Sequence, residues 1–309
     1  MSAVLNYTHG RGLSAWPLWL GSEEPEEIST MAPHPQTHPP LDLDAVEADT
    51  RSALAAASSA GSFQFKVLTV NIHKGFTIFN RKFILPELRE ALRVSGADVV
   101  FLQEVTGWHA THPDKYDNYP ETPHYEFLAA EIWPQFAYGK NAIYTQGDHG
   151  NAILSKFPIS RFENIDISMG GPERRGLLHC ELRIPGRELD VHAVCAHLGL
   201  LESHRARQLA VLASLVKERV PPSAPVVVAG DFNDWRCRAQ RFLLERTDLR
   251  EVFTQTNGRP ARTFPASLPV LRLDRIYVRN AIAHEPVVMP YKPWAALSDH
   301  APLAAEIEL

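Results

Sequence analysis

Several apolar runs in this chain stop at a residue that resists burial. "VLTVN" ends in Asn71, "VVFLQE" in Glu104, "VCAH" in His197, and "VVVAGDFN" in Asp231 and Asn233. Asp274 sits among apolar neighbours in "LRLDRIYV", and "LSDHAPL" sets Asp299 beside His300. An unpaired carboxylate costs several kcal/mol or more to bury. Acids at such positions need a cation, a hydrogen-bonding partner or an exposed strand end. One acid at a strand end is ordinarily a turn former, and "DFND" reads equally as an Asx-rich turn. Repetition over four or five runs favours convergence. Oxygen donors such as Glu104 and Asp299, backed by Asn71, Asp231 and Asn233, suit hard Mg²⁺ or Mn²⁺. Zinc would want more His and Cys than these motifs offer.

The elements that would hold these residues start at residue 63. "FQFKVLTVNIH" has a buried-strand pattern, and "LPELREALRV" places Leu85, Leu88 and Leu92 on one helical face with Pro86 in the first turn. "ADVVFLQE" is a second strand, followed by a long polar loop over 107–123, a helical "HYEFLAAEIW" and the strand "GNAILSKFPI". "LLHCELRI" and "ELDVHAVCAHL" flank "PGR" as a hairpin. "ESHRARQLAVLASLVKERV" is an amphipathic helix with Leu209, Leu212, Leu215 and Val216 inward. "PVVVAGDFNDW", "LRLDRIYV" and "APLAAEIEL" supply the remaining strands. Strands joined both by hairpins and across helices imply mixed sheets in one α/β domain over 61–309.

Residues 1–60 differ in texture. "MAPHPQTHPPLDLD" and "RSALAAASSAGS" have no sustained apolar period, so this stretch reads as a flexible acidic, Pro-rich leader, with Met31 an alternative start. His34 and His38 fit a solvated linker better than a metal site. The leader sets Arg11 and Arg51 against eight acids, whereas the rest of the chain holds 29 bases and 28 acids. A body so nearly neutral weighs against a dedicated duplex-DNA binder. No apolar run reaches the ~20 residues of a membrane span. Three cysteines, Cys180, Cys195 and Cys237, lack metal-like spacing, and no secretory start is visible, so a cytoplasmic monomer with reduced thiols is expected.

"TVNIHKG", "LQEV", "HGNAILS", "AHLG", "GDFND", "LDRIYV" and "SDHAP" occur in the order and approximate spacing of the endonuclease/exonuclease/phosphatase superfamily, which the chain resembles over roughly residues 63–309. The resemblance is closest to an uncharacterised bacterial branch. It implies a DNase I-like four-layer sandwich, two mixed β-sheets flanked by helices. It also implies a Mg²⁺-dependent phosphoesterase. Asn71 and Glu104 match the metal-site pair, with Glu104 the direct ligand, and Asp299 matches a second metal-side acid. Asp231 and Asn233 match the pair that orients the attacking water and holds the phosphate. Asp274 matches the acid bracing His300, which contacts the scissile phosphate, and His197 matches a histidine of the nuclease and sphingomyelinase branches. Asn151 is expected near the substrate, and Arg174 and Arg175 within reach of a phosphate. Either His300 or Asp231 would take the proton of the water. The neutral body favours a small or lipid-derived phosphodiester, with peripheral lipid contact. The rivals are a nuclease using Arg236, Arg238, Arg241, His204, Arg205 and Arg207 as a backbone track, and a non-catalytic binding protein on the same scaffold.

Overall fold

The structure is a computed structural model that describes residues 62–77 and 81–309. The leader over 1–60, with Met31, His34 and His38, lies outside the described residues. From its first apolar run the chain forms strand β1 (Gln64–Asn71), a 3₁₀ turn (His73–Gly75), helix α1 (Leu85–Ser95) and strand β2 (Val99–His109). Pro86 sits in the first turn of α1, where its missing N–H breaks no bond. Gly96 closes the helix at φ 70°, donating its N–H to Arg93 O. β1 and β2 are parallel, so α1 is the crossover between them.

Next come α2 (His112–Lys115), α3 (His124–Ala129), β3 (Gln135–Tyr144), β4 (Gly147–Ser155) and β5 (Ile159–Asp166). β6 (Gly176–Leu182) and β7 (Val191–His197) form the hairpin read from "PGR". Helix α4 (Glu202–Arg219) then crosses to β8 (Val226–Asp231), parallel to β7. The chain continues through α5 (Ala239–Thr247), β9 (Arg250–Glu251), α6 (Val252–Asn257), β10 (Asp274–Arg279), β11 (Ile282–Val288), α7 (Tyr291–Leu297) and β12 (Leu303–Glu308).

Two six-stranded mixed sheets result, ordered β11-β12-β1-β2-β4-β3 and β5-β6-β7-β8-β10-β9. Period-two alternation decides what lies between them. Val67, Val99, Phe101, Ile153 and Leu303 of the first sheet meet Leu178, Cys180, Ala193, Cys195, Ala229 and Ile276 of the second. The alternate residues of the first sheet, such as Leu68, Val70, Val100 and Leu102, pack on Leu85, Leu88 and Leu92. Those of the second sheet, Val194, Ala196 and Val228, pack on Leu209, Leu212, Leu215 and Val216. The four expected layers are therefore present.

The stretch expected as a long polar loop is in part structured. β2 runs on to His109, and α2 follows, because Phe76, Phe83, His112, Tyr116, Tyr119 and His124 gather their rings into one cluster. His124 is the most buried imidazole of this cluster, and neither ring nitrogen has a hydrogen-bond partner. Burial, aided by His112 and His109, pushes its pKa down to about 3. The unfolded chain therefore binds this proton first as pH falls, so stability is full above the ordinary histidine value and is lost on acidification towards about 3. At ~1.4 kcal/mol for each pH unit in that window, the loss reaches several kcal/mol. His124→Phe is expected to flatten this dependence. The check is the fall in Tm between neutral and mildly acidic buffer, which should be clearly smaller in the variant.

Candidate active site

Alternation also explains why polar residues collect at one end of the sandwich. Asn71 continues the inward register of Val67 and Thr69, as Asn151 does that of Ile153, His197 that of Cys195, and Asp231 that of Ala229. Asp274 begins the inward register of Ile276 and Val278. Past the last apolar layer, inward side chains from both sheets face one another without a hydrophobic filling.

Glu104 would point outward by simple alternation. A register irregularity between Leu102 and Val105 in the β2–β4 ladder, with Glu104 at φ 55°, re-aims it. Asn71 Nδ2 then donates to Glu104 Oε1 and to Asp231 Oδ2, both at 3.4 Å, and so bridges the two sheets. Gly230 shapes the other side. Its φ is +148°, and a Cβ there would stand 1.9 Å from Ala196 O, so only glycine lets β8 close on β7 just before Asp231.

His300 is fixed from three directions. Its Nδ1 lies 2.9 Å from Asp274 Oδ2, its backbone N–H donates to Ser298 Oγ at 2.9 Å, and its ring packs on Phe264 with centroids 5.0 Å apart. Ser298 Oγ in turn donates to Asn71 O at 2.6 Å. The other ring nitrogen, Nε2, is 4.0 Å from Asp231 Oδ2, and His197 Nε2 is 3.6 Å from the same oxygen. Asn233, at φ 48°, returns its backbone N–H to Asp231 Oδ1 at 2.9 Å and its Nδ2 to Leu198 O at 3.0 Å. Buried Arg275 donates to Asp274 O and Asp234 O, both at 2.9 Å, holding the loop after β8 against β10.

The electrostatics divide the cluster in two. Burial would raise Glu104, but the imidazoles of His197 and His73, the Lys74 ammonium and the Asn71 amide, all drawn towards its charge, outweigh it and hold the carboxyl at about 2. Burial pushes Asp231 up to about 6, against the pull of His300. Burial opposes the charge on His300, yet Asp274, Asp231 and Asp299 prevail and raise it to about 10. His197, fully enclosed, is pushed well below the usual histidine range by burial and stays neutral.

Asp299 and His300 face different partners although adjacent. His73 Nδ1 stands 4.0 Å from both Asp299 Oδ2 and Glu104 Oε2, which puts Asp299 on the Glu104 side. Asp299 Oδ1 is buried without a hydrogen-bond partner. An ionised Glu104 and that unpartnered carboxylate oxygen are hard donors that fit a divalent cation, while the Asn71 amide, donating from Nδ2 to Glu104 and accepting at Oδ1 from the His73 N–H at 3.0 Å, steadies Glu104.

His73, Lys74 and His149 were not singled out in the sequence, yet they adjoin this group. Lys74 Nζ is 3.8 Å from Glu104 Oε2, and the charges of Lys74 and Glu104 both act on His149. Their sequence signal was their place in two motifs, since His73 and Lys74 lie in "TVNIHKG" just past the β1 end and His149 opens "HGNAILS".

The residues expected to hold substrate border this cluster with much of their hydrogen bonding already used, and the charge of Arg175 reaches His197 and Asp231. Asn151 is fully buried, and its amide donates to Gly176 O (2.9 Å) and Cys195 O (3.3 Å), tying β4 to the second sheet. Arg175 commits its guanidinium to Leu198 O (3.0 Å), Arg174 O (3.0 Å) and Glu173 (2.9 Å). Arg174 is exposed, and its charge falls on Asp166. Of the suggested basic track, Arg236 and Arg238 both pair with Glu202, Arg241 with Glu245 and His204 with Glu173. Arg205 is buried against Gly199 O. Arg207 is exposed on α4.

Comparison with known proteins agrees with this architecture. The family model described as Endonuclease/Exonuclease/phosphatase family matches residues 68–300. The chain is 57% identical over 247 residues to Uncharacterized protein YbhP of Escherichia coli (strain K12), covering 80% of this chain and 97% of that protein. Among solved structures, an endonuclease/exonuclease/phosphatase from Bacteroides vulgatus superposes with a TM-score of 0.62 at 18% identity, over 80% of this chain and 99% of that one. D. rerio TDP2 complexed with single strand DNA product superposes at 0.58 and 19% identity, over 79% and 98%.

Proposed function

The chain belongs to the endonuclease/exonuclease/phosphatase family, and from that premise we propose that it is a Mg²⁺- or Mn²⁺-dependent phosphodiester hydrolase acting on a small or lipid-derived diester. The observation that carries this reading is the buried Asp274–His300 pair at 2.9 Å, set across Asp231 from the Glu104–Asn71 group. Glu104 and Asp299 would hold the cation, with Asn71 orienting Glu104, and the bound cation would polarise a phosphoryl oxygen and steady the leaving oxyanion.

The other steps fall to the protein itself. His300, kept as an imidazolium by Asp274 and Asp231, donates from Nε2 to a phosphoryl oxygen. Asp231, raised to about 6, is near the optimum for a general base at neutral pH and takes the proton of the attacking water. Asn233 orients Asp231 by donating its backbone N–H to Oδ1 and its amide to Oδ2, and neutral His197 stands 3.6 Å from the same Oδ2. Removal of water by the enclosing sheets strengthens every one of these charge contacts. Two features support a small diester over long duplex DNA. The body carries 29 bases against 28 acids, and most of the basic track is already paired with Glu202, Glu245 and Glu173.

Purified protein is expected to hydrolyse bis(p-nitrophenyl) phosphate with Mg²⁺ or Mn²⁺, and EDTA should abolish turnover until the cation is restored. A metal-dependent panel of a phospholipid diester, a short oligonucleotide and a supercoiled plasmid separates the substrate classes. Efficient plasmid nicking at low salt would shift the reading to a nuclease. Full activity in EDTA would remove the proposed mechanism.

A further inference from the structure

A second group of ligating side chains lies on the opposite face of the second sheet. In the antiparallel β6–β7 ladder Glu181 is directly opposite His192, and His179 is two residues before Glu181 on the same strand. Alternation puts all three on the helix-side face, the one that carries Leu177, Val194 and Ala196. Beyond those apolar residues the face opens into a cleft lined by Arg161, Phe162, Glu163 and Arg219, the last residue of α4. His179 Nε2 and His192 Nδ1 face each other at 2.9 Å, and one ligating atom from each of His179, Glu181 and His192 lies within 4.8 Å of the other two.

We infer that His179, Glu181 and His192 form a second divalent-metal site, suited to a borderline ion such as Zn²⁺ and separate from the oxygen-rich cluster. Two imidazole nitrogens and one carboxylate, with the cleft open for a water, match the three-ligand tetrahedral sets that prefer Zn²⁺ to Mg²⁺. A strand offers such a set readily. Residues i and i+2 share one face, and the neighbouring strand supplies the third ligand.

Both rings are buried, and burial pushes His179 down to about 4 and lowers His192 as well, so both are neutral and ready to ligate. In the metal-free pair one ring must donate to the other. An ion between them needs a lone pair from each, so the donor ring moves its proton to its other nitrogen and no net proton is released. The nitrogens must open only from 2.9 Å to roughly 3.3 Å to fit tetrahedral zinc. Two arginines compete weakly. Arg161 Nη1 is 4.0 Å from Glu181 on a largely exposed side chain, and Arg219 is held by Glu163.

The distance between the two sites keeps them independent. His192 and His197 are five residues apart on β7, roughly 16 Å along a strand at ~3.3 Å per residue, and an odd spacing turns them to opposite faces.

The test uses metal-stripped full-length Glu104→Gln protein, in which the oxygen-rich cluster is weakened, dialysed against micromolar Zn²⁺. We expect His192→Gln in that background to lose one equivalent of bound zinc. Co²⁺ in place of Zn²⁺ should give tetrahedral d–d absorption that the same change abolishes. His192→Gln alone should keep Mg²⁺-dependent diester turnover within about twofold of the parent. Glu181→Gln, only partly buried, guards against misfolding of the histidine variant and is expected to weaken zinc binding at least tenfold. Zinc affinity and cobalt spectrum unchanged in Glu181→Gln, or zinc stoichiometry unchanged in a folded His192→Gln, overturn the assignment.

Discussion

His300→Ala should lower kcat for bis(p-nitrophenyl) phosphate by roughly 10²–10⁴, the usual contribution of a positioned acid–base group. The ring is the only described group that meets both Asp274 and Asp231, so its loss removes the charge facing the phosphate and leaves Asp274 buried without its partner. An uncompensated buried carboxylate costs ~3–5 kcal/mol when its partner is removed, so the variant should also melt earlier. His300→Gln separates the two effects, because its amide can still donate to Asp274 but carries no charge. It should recover stability while turnover stays low. The pH profile tests the division of roles. In the parent, kcat/KM should rise as Asp231 ionises near about 6 and fall as His300 loses its proton near about 10. Asp231→Asn should erase the acid limb. An acid limb surviving in that variant would give the base role to another group.

Glu104→Gln is expected to reduce metal-supported turnover by roughly 10²–10⁴, the equivalent of several kcal/mol of charge stabilisation. The loss should come with a rise of at least tenfold in the Mg²⁺ or Mn²⁺ concentration giving half-maximal rate. That second readout distinguishes a lost ligand from general disturbance. The structure predicts little change in fold, because Glu104 is partly exposed and its contacts to Lys74 and His73 are long, at 3.8 and 4.0 Å. A variant with unchanged metal dependence would dissociate Glu104 from the cation.

Much of the scaffold could be read directly from residue order. Buried strands such as β1, β2, β7 and β8 announced themselves because burial on both faces demands continuous apolar runs, and their polar ends marked the site. β3, β5 and β11 went unread. Each mixes exposed and half-buried positions, all three lie at sheet edges, and none carries a clean period. In the site, Glu104 was legible as a type at a strand end. Its aim depends on an irregular β2–β4 register that no local pattern records. Asn151 and Arg175 were legible as polar, but the carbonyls that Asn151 binds are reachable only once the two sheets meet, and Leu198 O comes to Arg175 only through the β6–β7 pairing. His179, Glu181 and His192 stayed hidden because their meeting is set by the β6–β7 register.

The Asn71–Asp231 and His300–Asp274 contacts both cross the seam between the sheets, and Asn151 stitches the same seam through Cys195 O. The pocket is thus a gauge of how one slab slides over the other. A displacement of ~1 Å can cost a hundredfold in rate, while a core absorbs it for a kcal/mol or two. Overpacked positions deep in the sandwich, Cys195 among them, should silence the protein long before they unfold it.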